Sequence, residues 1–475
     1  MRKLMPHQSK AFAYLMKNRH GALFMEMRTG KTLPTIRRIV LTKPRRVLIM
    51  APNSALGSWE NELNNEGISD VVYLQGSRAE RLATLREGHT WNLINREGWS
   101  VLPEIGNRTR CPDCNGRSTR AMPCATCKAT KHIDLPRGER VTWDAVVLDE
   151  STFIKSPRAQ VTTFVLDHLA RCAVRRYILT GLPNPEGDMD FWCQLAWLDG
   201  KAFGYRSFWG FRAGMFSQED AMYCWEPKQN TPTQIRDYVQ DRAFICSRRD
   251  AKMPEHVVKE RRVIALPKQL RTTYDKAEKD FILEHENTYQ KTIHACTKWQ
   301  WLRQMCGGFI ERKQVWDGKL KALRELVMGE LRREKIVVWF AYNAEVHAAA
   351  HYVGEGKAYI MTGEVPPAQR RDIVRWFGGD GVRVLYLQQK IAEYGMDLSA
   401  ADTAIYYSRN PALLTDRQCS DRIVHPKKSN NLLHVDLVVK DSVDEDVCTL
   451  LEDKRWTSQM ALDVELGERL RRRTQ

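Results

Sequence analysis

Gly30-Lys31-Thr32 follows an apolar run, H-G-A-L-F-M-E-M, over residues 20–27. Such a triplet is the tail of a phosphate-binding loop. Glycine lets the backbone approach phosphates, and the N–H groups of the following helix start point at the anion. The lysine reaches β- and γ-phosphates, and the threonine hydroxyl ligates Mg²⁺. The full pattern places another glycine five positions before Gly30, where this chain has Met25. A bare G-K-T is common, so its weight comes from a second feature, Asp149-Glu150 at the end of A-V-V-L-D-E. An aspartate there holds Mg²⁺ directly or through water, and the next glutamate polarises the attacking water as general base. The alternative is a pair of acids capping the next helix. Both features lie at strand ends in the expected order, which points to a nucleoside triphosphate site.

A separate chemistry lies between them. Cys111/Cys114 and Cys124/Cys127 form two C-x-x-C pairs with nine residues between. Each pair can make a tight knuckle around a tetrahedral metal, and four thiolates leave no open position. The expectation is a structural Zn²⁺ site. A redox pair is the usual alternative for a single C-x-x-C. Arg108, Arg110, Arg117, Arg120, Lys128, Lys131 and His132 flank the knuckles. They fit phosphate contact or a solvated, zinc-stapled loop. With four sulfurs available, His132 is expected to be an ordinary histidine.

The elements that must carry these residues are short apolar runs at 45–52, 71–74, 145–150 and 176–181, alternating with helical stretches. That pattern specifies a buried parallel sheet, whose ligands sit at the carboxyl ends of its strands. The chain has 475 residues, a net charge of +16 and 43% hydrophobic residues. This allows two to four packed domains and favours a polyanionic partner such as nucleic acid. No run approaches a membrane span, and the N-terminal M-R-K-L-M-P-H-Q reads as the start of an amphipathic helix, not a signal peptide. A reducing, cytoplasmic setting follows for the twelve cysteines.

From here the chain resembles the Swi/Snf family of superfamily-two helicase-like ATPases, from about residue 4 to about residue 455 outside the cysteine insertion. L-M-P-H-Q looks like the opening motif, in which the glutamine, here Gln8, reads adenine. M-E-M-R-T-G-K-T looks like motif I, with Arg28 where the family usually has glycine. The stretch 47–62 resembles motif Ia, including Trp59 and Glu62. L-D-E-S-T-F-I-K resembles motif II with Lys155 after it, and L-T-G-L-P resembles motif III. Further on, I-C-S-R-R-D and L-R-Q-M-C look like segments leading into a second lobe, and K-I-V-V-W-F-A like its first strand. The run 388–402 resembles motif V, with Asp397 for the usual asparagine, and 416–426 resembles motif VI. There the family has two arginines three apart, and this chain has Arg422 and His425. Histidine is mostly neutral at pH 7 and lacks the planar fork of arginine. An arginine finger is worth about 10³–10⁵ in rate. Slow hydrolysis, Arg422 acting alone, or substitution by Lys427 or Lys428 are all open.

The resemblance implies an α/β fold of two RecA-like parallel-sheet lobes with helical protrusions and a small zinc-binding insertion. The first lobe spans 1–245, with the insertion at about 106–135 and a protrusion at about 185–245. A linker and second protrusion follow at 246–315, then the C-terminal lobe at 316–455 and a basic tail at 456–475 ending in Arg471–Arg473. The aromatics of 185–245 are expected to form core. ATP and Mg²⁺ would bind between the lobes, held by Gln8, Arg28, Thr29, Gly30, Lys31, Thr32, Asp149, Gly395 and His425. Lys31, Asp149, Glu150 and Arg422 would carry catalysis. Duplex or branched DNA would lie on Pro52, Asn53, Ser54, Asn95, Arg96, Lys155, Gln388 and Lys390, gripped through phosphates without sequence preference. The functions in view are a DNA-dependent motor, an RNA helicase of the same superfamily, and a weakly hydrolysing DNA- or protein-binding factor. The family's tryptophan-bearing motif Ia favours DNA over RNA.

Overall fold

The computed structural model describes residues 2–115, 117–119, 121–218, 225–252, 257–280, 282–285, 288–291, 295–354, 356, 358–394, 396–425, 428 and 431–462. It divides into two compact units, one of residues 1–253 with 457–475 and one of residues 254–456.

The first unit is built on strands β1 (Gly21–Met25), β2 (Val47–Ala51), β3 (Val71–Tyr73) and β4 (Trp91–Asn95). A hairpin of β5 (Arg108–Arg110) and β6 (His132–Asp134) follows, then β7 (Ala145–Asp149) and β8 (Arg176–Thr180). A second hairpin, β9 (Phe216–Gln218) with β10 (Trp225–Pro227), precedes β11 (Ala243–Cys246). Seven strands form one sheet in the order β11-β1-β8-β7-β2-β4-β3. Every pairing in it is parallel.

The continuous apolar runs explain this. β1, β2 and β7 are buried along their whole length, because helices cover both faces. Ala22, Phe24, Leu48, Met50, Val146 and Leu148 enter one layer. Leu23, Met25, Val47, Ile49, Ala145 and Val147 enter the other. The aromatic-rich stretch after β8 packs mostly inward: Phe191, Trp192, Trp197, Phe208 and Phe211 belong to the first layer.

The second unit carries six parallel strands in the order Val257–Ile264, Leu432–Val439, Thr403–Tyr406, Ile336–Phe340, Val384–Gln388, Ala358–Met361. The segment assigned by sequence to a linker and helical protrusion thus contains an edge strand, Val257–Ile264, paired along all its length with Leu432–Val439. Its V-V-K-E-R-R-V-I sequence is largely exposed, and charge suits an edge. The same segment also carries the helices Lys268–Asp280 and Ala295–Cys306. Among the described residues, no helix is long and apolar enough to cross a membrane.

Candidate nucleotide-binding site

Three neighbouring strands, β1, β8 and β7, deliver the chemistry at their carboxyl ends. β1 runs into the loop Glu26–Lys31 and the helix Thr32–Val40. The loop bends through two left-handed residues, Arg28 at φ 71° and Gly30 at φ 74°. At Gly30 glycine is favoured on two counts. A Cβ there would sit 2.4 Å from Gln8 Nε2, besides the unfavourable φ. Arg28 takes the same backbone region with a side chain, where glycine would relax it.

The opening motif clamps this loop. Gln8 Nε2 donates to the Gly30 carbonyl at 3.0 Å, and its Oε1 accepts from the Met5 N–H at 2.9 Å. His7 Nε2 bonds the Thr29 carbonyl at 2.8 Å. Thr29 is buried, and its hydroxyl donates back to the Glu26 carbonyl at 2.7 Å. On the other side Arg248 donates from its backbone to Glu26 Oε2 at 2.7 Å and from Nε to the Met27 carbonyl at 3.2 Å. Nothing local in the sequence singles out Arg248. Its only signal is membership of the I-C-S-R-R-D segment.

Lys31 Nζ lies 3.4 Å from the Met25 carbonyl and 3.9 Å from Glu150 Oε1. Asp149 ends β7, buried, with Oδ2 accepting from Trp59 Nε1 at 2.9 Å and Oδ1 from the Glu150 N–H at 3.0 Å. Burial pushes its carboxyl up to about 6, and the charge of Glu150 adds to this. Lys31 and the Trp59 hydrogen bond work the other way. Glu150 sits at φ 50°, a conformation that turns the chain immediately after the strand. Thr180, at the end of β8, donates from its hydroxyl to Glu150 Oε2 at 3.3 Å and accepts from the Leu182 N–H at 3.2 Å. Motif III is thereby joined to motif II by one side chain. Gly181 lets that strand end pass the loop, since a Cβ would meet the Met27 backbone nitrogen at 3.0 Å.

Lys31, Asp149 and Glu150 are therefore brought to one place, with Thr32 next to Lys31 at the helix start. The donor set suits a magnesium–triphosphate: an ammonium, a hydroxyl at a helix start, and two adjacent carboxylates. Trp59, Thr180 and Arg248 are supports of this site that spacing alone does not reveal.

The residues expected to face DNA in this unit share the same edge. Pro52 caps the helix Asn53–Asn65, which includes Ser54, directly after β2. Arg96 follows β4, donating its N–H to the Ala51 carbonyl at 3.0 Å and its Nε to Glu97 Oε1 at 2.8 Å. Lys155 Nζ stands 3.8 Å from both Glu186 and Asp190. Burial pushes the Asp190 carboxyl up to about 6, against the pull of Lys155.

In the second unit Gln388 ends the strand Val384–Gln388, and Lys390 is exposed in the turn Gln389–Tyr394. Arg422 caps the helix Leu413–Asp421 and donates from Nε and Nη2 to the Ala392 carbonyl at 2.9 and 2.5 Å. His425 is half-buried three residues on. Lys428 Nζ is engaged by Asp402 and the Ala401 carbonyl, each at 2.5 Å. Gly395, Lys427, Arg120 and Arg471–Arg473 lie outside the described residues.

In the insertion, the sulfurs of Cys111, Cys114, Cys124 and Cys127 all lie within 4.8 Å of one another. The Cys111–Cys124 and Cys114–Cys127 separations are 3.9 and 3.6 Å. A zinc with sulfur at about 2.3 Å demands tetrahedral edges of about 3.8 Å. The backbone makes paired knuckles: Arg117 N–H to Cys114 carbonyl and Lys128 N–H to Cys124 carbonyl, both 2.8 Å. Cys111 N–H to Lys131 carbonyl at 2.9 Å closes the base. The four-thiolate set fits zinc, and His132 is not part of it.

A model of the SNF2-related domain matches residues 7–226, and one of the helicase conserved C-terminal domain matches residues 318–427. "Putative protein p41" of Acyrthosiphon pisum secondary endosymbiont phage 1 is 23% identical over 496 residues, covering 97% of this chain and 98% of that one. The helicase-like transcription factor of Oryctolagus cuniculus is 27% identical over 176 residues, 35% of this chain but 14% of that protein. Among solved structures, the Sulfolobus solfataricus SWI2/SNF2 ATPase core in complex with dsDNA is 17% identical, with a TM-score of 0.42, covering 98% of this chain and 96% of that one.

Proposed function

We propose, from the premise that this chain belongs to the SNF2-related family of superfamily-two helicase-like ATPases, that it is an ATP-driven motor which moves along or remodels DNA. The observation that carries the reading is the meeting of Lys31, Asp149, Glu150 and Thr180 at the ends of three adjacent strands. In this reading Lys31 and Thr32 hold the triphosphate and its metal, and Asp149 orients that metal through a carboxylate fixed by Trp59. When bound, Mg²⁺ supplies neutralisation of phosphate charge. Glu150 orients and deprotonates the attacking water. Thr180 touches Glu150, so a shift of motif III moves the base. Arg422 is the arginine proposed to answer the charge developing on the transferred phosphate.

DNA is the proposed track, held through phosphates by Pro52–Ser54, Arg96, Lys155, Gln388 and Lys390. Release of Lys155 from Glu186 and Asp190 would accompany binding. The excess of basic residues supports a polyanionic partner. We assign zinc to Cys111, Cys114, Cys124 and Cys127 as a structural ion. The test is ATP hydrolysis by the full chain without nucleic acid, with duplex DNA and with duplex RNA. Stimulation by DNA alone supports the motor. Stimulation by RNA alone replaces it with an RNA helicase. A second reading, a DNA-binding factor with feeble hydrolysis, is favoured by His425 standing where the family has a second arginine. Hydrolysis unmoved by any nucleic acid selects it.

A further inference from the structure

The edge of the first sheet opposite the phosphate loop holds a groove of about 530 Å³ between the helix Arg78–Glu87 and the base of the cysteine insertion. Its location follows from residues that precede strand starts. Asp144, just before β7, accepts through Oδ2 from the N–H groups of Arg45 and Arg46, just before β2, at 2.6 and 3.1 Å. Trp143 Nε1 donates to the Ile105 carbonyl at 2.8 Å, tying the insertion to the same edge.

Four arginines line this groove: Arg46, Arg78, Arg86 and Arg140. Glu104 pairs with Arg78, and Glu139 stands 3.9 Å from Arg86. Among the described residues, no ion pair engages the guanidinium of Arg46 or Arg140. Two positive charges are thus in excess, over a floor of Leu82, Leu85 and Val141. The wall also carries a buried donor without a hydrogen-bond partner, Arg78 Nε. Buried groups of this kind are rarely left unmatched unless water or a ligand completes them.

The positive surface does not stop at the groove. Thr109 lines it, and the hairpin that begins there exposes Arg110, Arg117, Lys128 and Lys131. Of its two acids, Asp134 is paired with Arg108 at 2.9 Å, and Asp113, which accepts from the Thr126 hydroxyl, offsets one of these four charges.

We propose that the groove and the hairpin together form a second phosphate-binding surface, which holds a strand of DNA distinct from the segment gripped at the phosphate-loop edge. The five-residue strands separate the two edges by about 16 Å at about 3.3 Å per residue, before loops are added. Contacts at the two edges therefore fall on different phosphates, about five nucleotides or more apart at about 3.4 Å per step along a strand. A site for a free nucleotide would need the groove alone. The continuation of positive charge along the hairpin is what an extended polyanion requires. One chain could then hold two arms of a branched DNA. This inference rests on the reading of the protein as a DNA motor.

The test is titration of the full chain with a short fluorescent duplex, followed by anisotropy, beside duplex-stimulated ATP hydrolysis. The expected isotherm has two steps. Arg46→Gln with Arg140→Gln removes the weaker step and keeps stimulation within about twofold. Lys128→Ala with Lys131→Ala, at exposed positions that leave packing intact, weakens the same step. It also lowers the magnitude of the salt slope, by about 0.9 for each phosphate no longer neutralised. A single-step isotherm with normal stimulation overturns the second surface alone, as do two steps unchanged in both variants. Displacement of the second duplex by micromolar AMP would make the groove a small-nucleotide site and also overturn it. No stimulation by duplex in the unmutated chain overturns the motor itself.

Discussion

Lys31 Nζ stands 3.9 Å from Glu150 Oε1, although the strands that carry them, β1 and β7, do not touch. β8 runs between them and ends in Thr180, whose hydroxyl donates to the other oxygen of Glu150. The ammonium rests between the Met25 carbonyl and the general-base candidate. Binding of a triphosphate would draw Lys31 away and leave Glu150 to Thr180 and water.

That exchange makes two substitutions separable. Lys31→Ala should abolish hydrolysis and weaken ATP binding, with DNA affinity unchanged within about twofold. Glu150→Gln should keep ATP binding and slow turnover by about 10²–10⁴, the worth of a positioned base. Equilibrium binding of a fluorescent ATP analogue beside steady-state hydrolysis measures both. Equal loss of binding in the two variants would contradict the assigned roles.

Trp59→Phe tests the positioning of Asp149. The ring remains to pack, but the indole N–H that fixes Oδ2 at 2.9 Å is lost. Loss of such an outer partner typically costs about 10–100-fold in metal affinity or activity. The expected signature is a raised Mg²⁺ requirement for hydrolysis, with maximal rate partly recovered at high Mg²⁺. A uniform loss at every Mg²⁺ concentration would assign Trp59 to packing only.

What could be read in advance was the chemistry concentrated in short runs. Gly30-Lys31-Thr32, Asp149-Glu150 and the paired cysteines each announce themselves by residue type and spacing, and the apolar runs beside them announce a parallel sheet. What could not be read was support supplied from far along the chain. Gln8 reaches the Gly30 carbonyl, Trp59 reaches Asp149 and Arg248 reaches Met27 only because the sheet order brings their elements together. The strand Val257–Ile264 escaped for another reason. An edge strand keeps its charged residues in water, so its apolar period is too weak to stand out.

The cysteine set predicts one zinc per chain by elemental analysis, lost in Cys114→Ser. Because the insertion springs from the edge opposite the phosphate loop, removing the metal should lower the melting temperature of the first unit by several degrees. Nucleic-acid-free hydrolysis should be spared at permissive temperature. Loss of that basal activity in step with zinc, in protein that remains folded by circular dichroism, would mean that the insertion shapes the nucleotide site.

Glu345 offers a pH test of stability in the second unit. It is 1% exposed, with Oε2 accepting from the Ser408 hydroxyl at 2.6 Å and the Tyr342 N–H at 3.2 Å, while buried Oε1 has no partner. Burial pushes its carboxyl from 4.5 up to about 7, opposed by the Ser408 hydrogen bond and by buried Lys319, itself paired with Asp444 at 2.6 Å. The fold therefore favours the protonated acid. Its stabilising contribution is full below about pH 4.5 and is lost as pH rises through about 7. Glu345→Gln keeps an acceptor for Ser408 and cannot ionise. Relative to the native chain, the variant should gain stability as pH rises from about 5 to about 8, reaching about 3 kcal/mol at most. Urea unfolding across that range measures the difference. Parallel stability curves for the two proteins would show that Glu345 enters the fold already ionised, with Lys319 outweighing its burial.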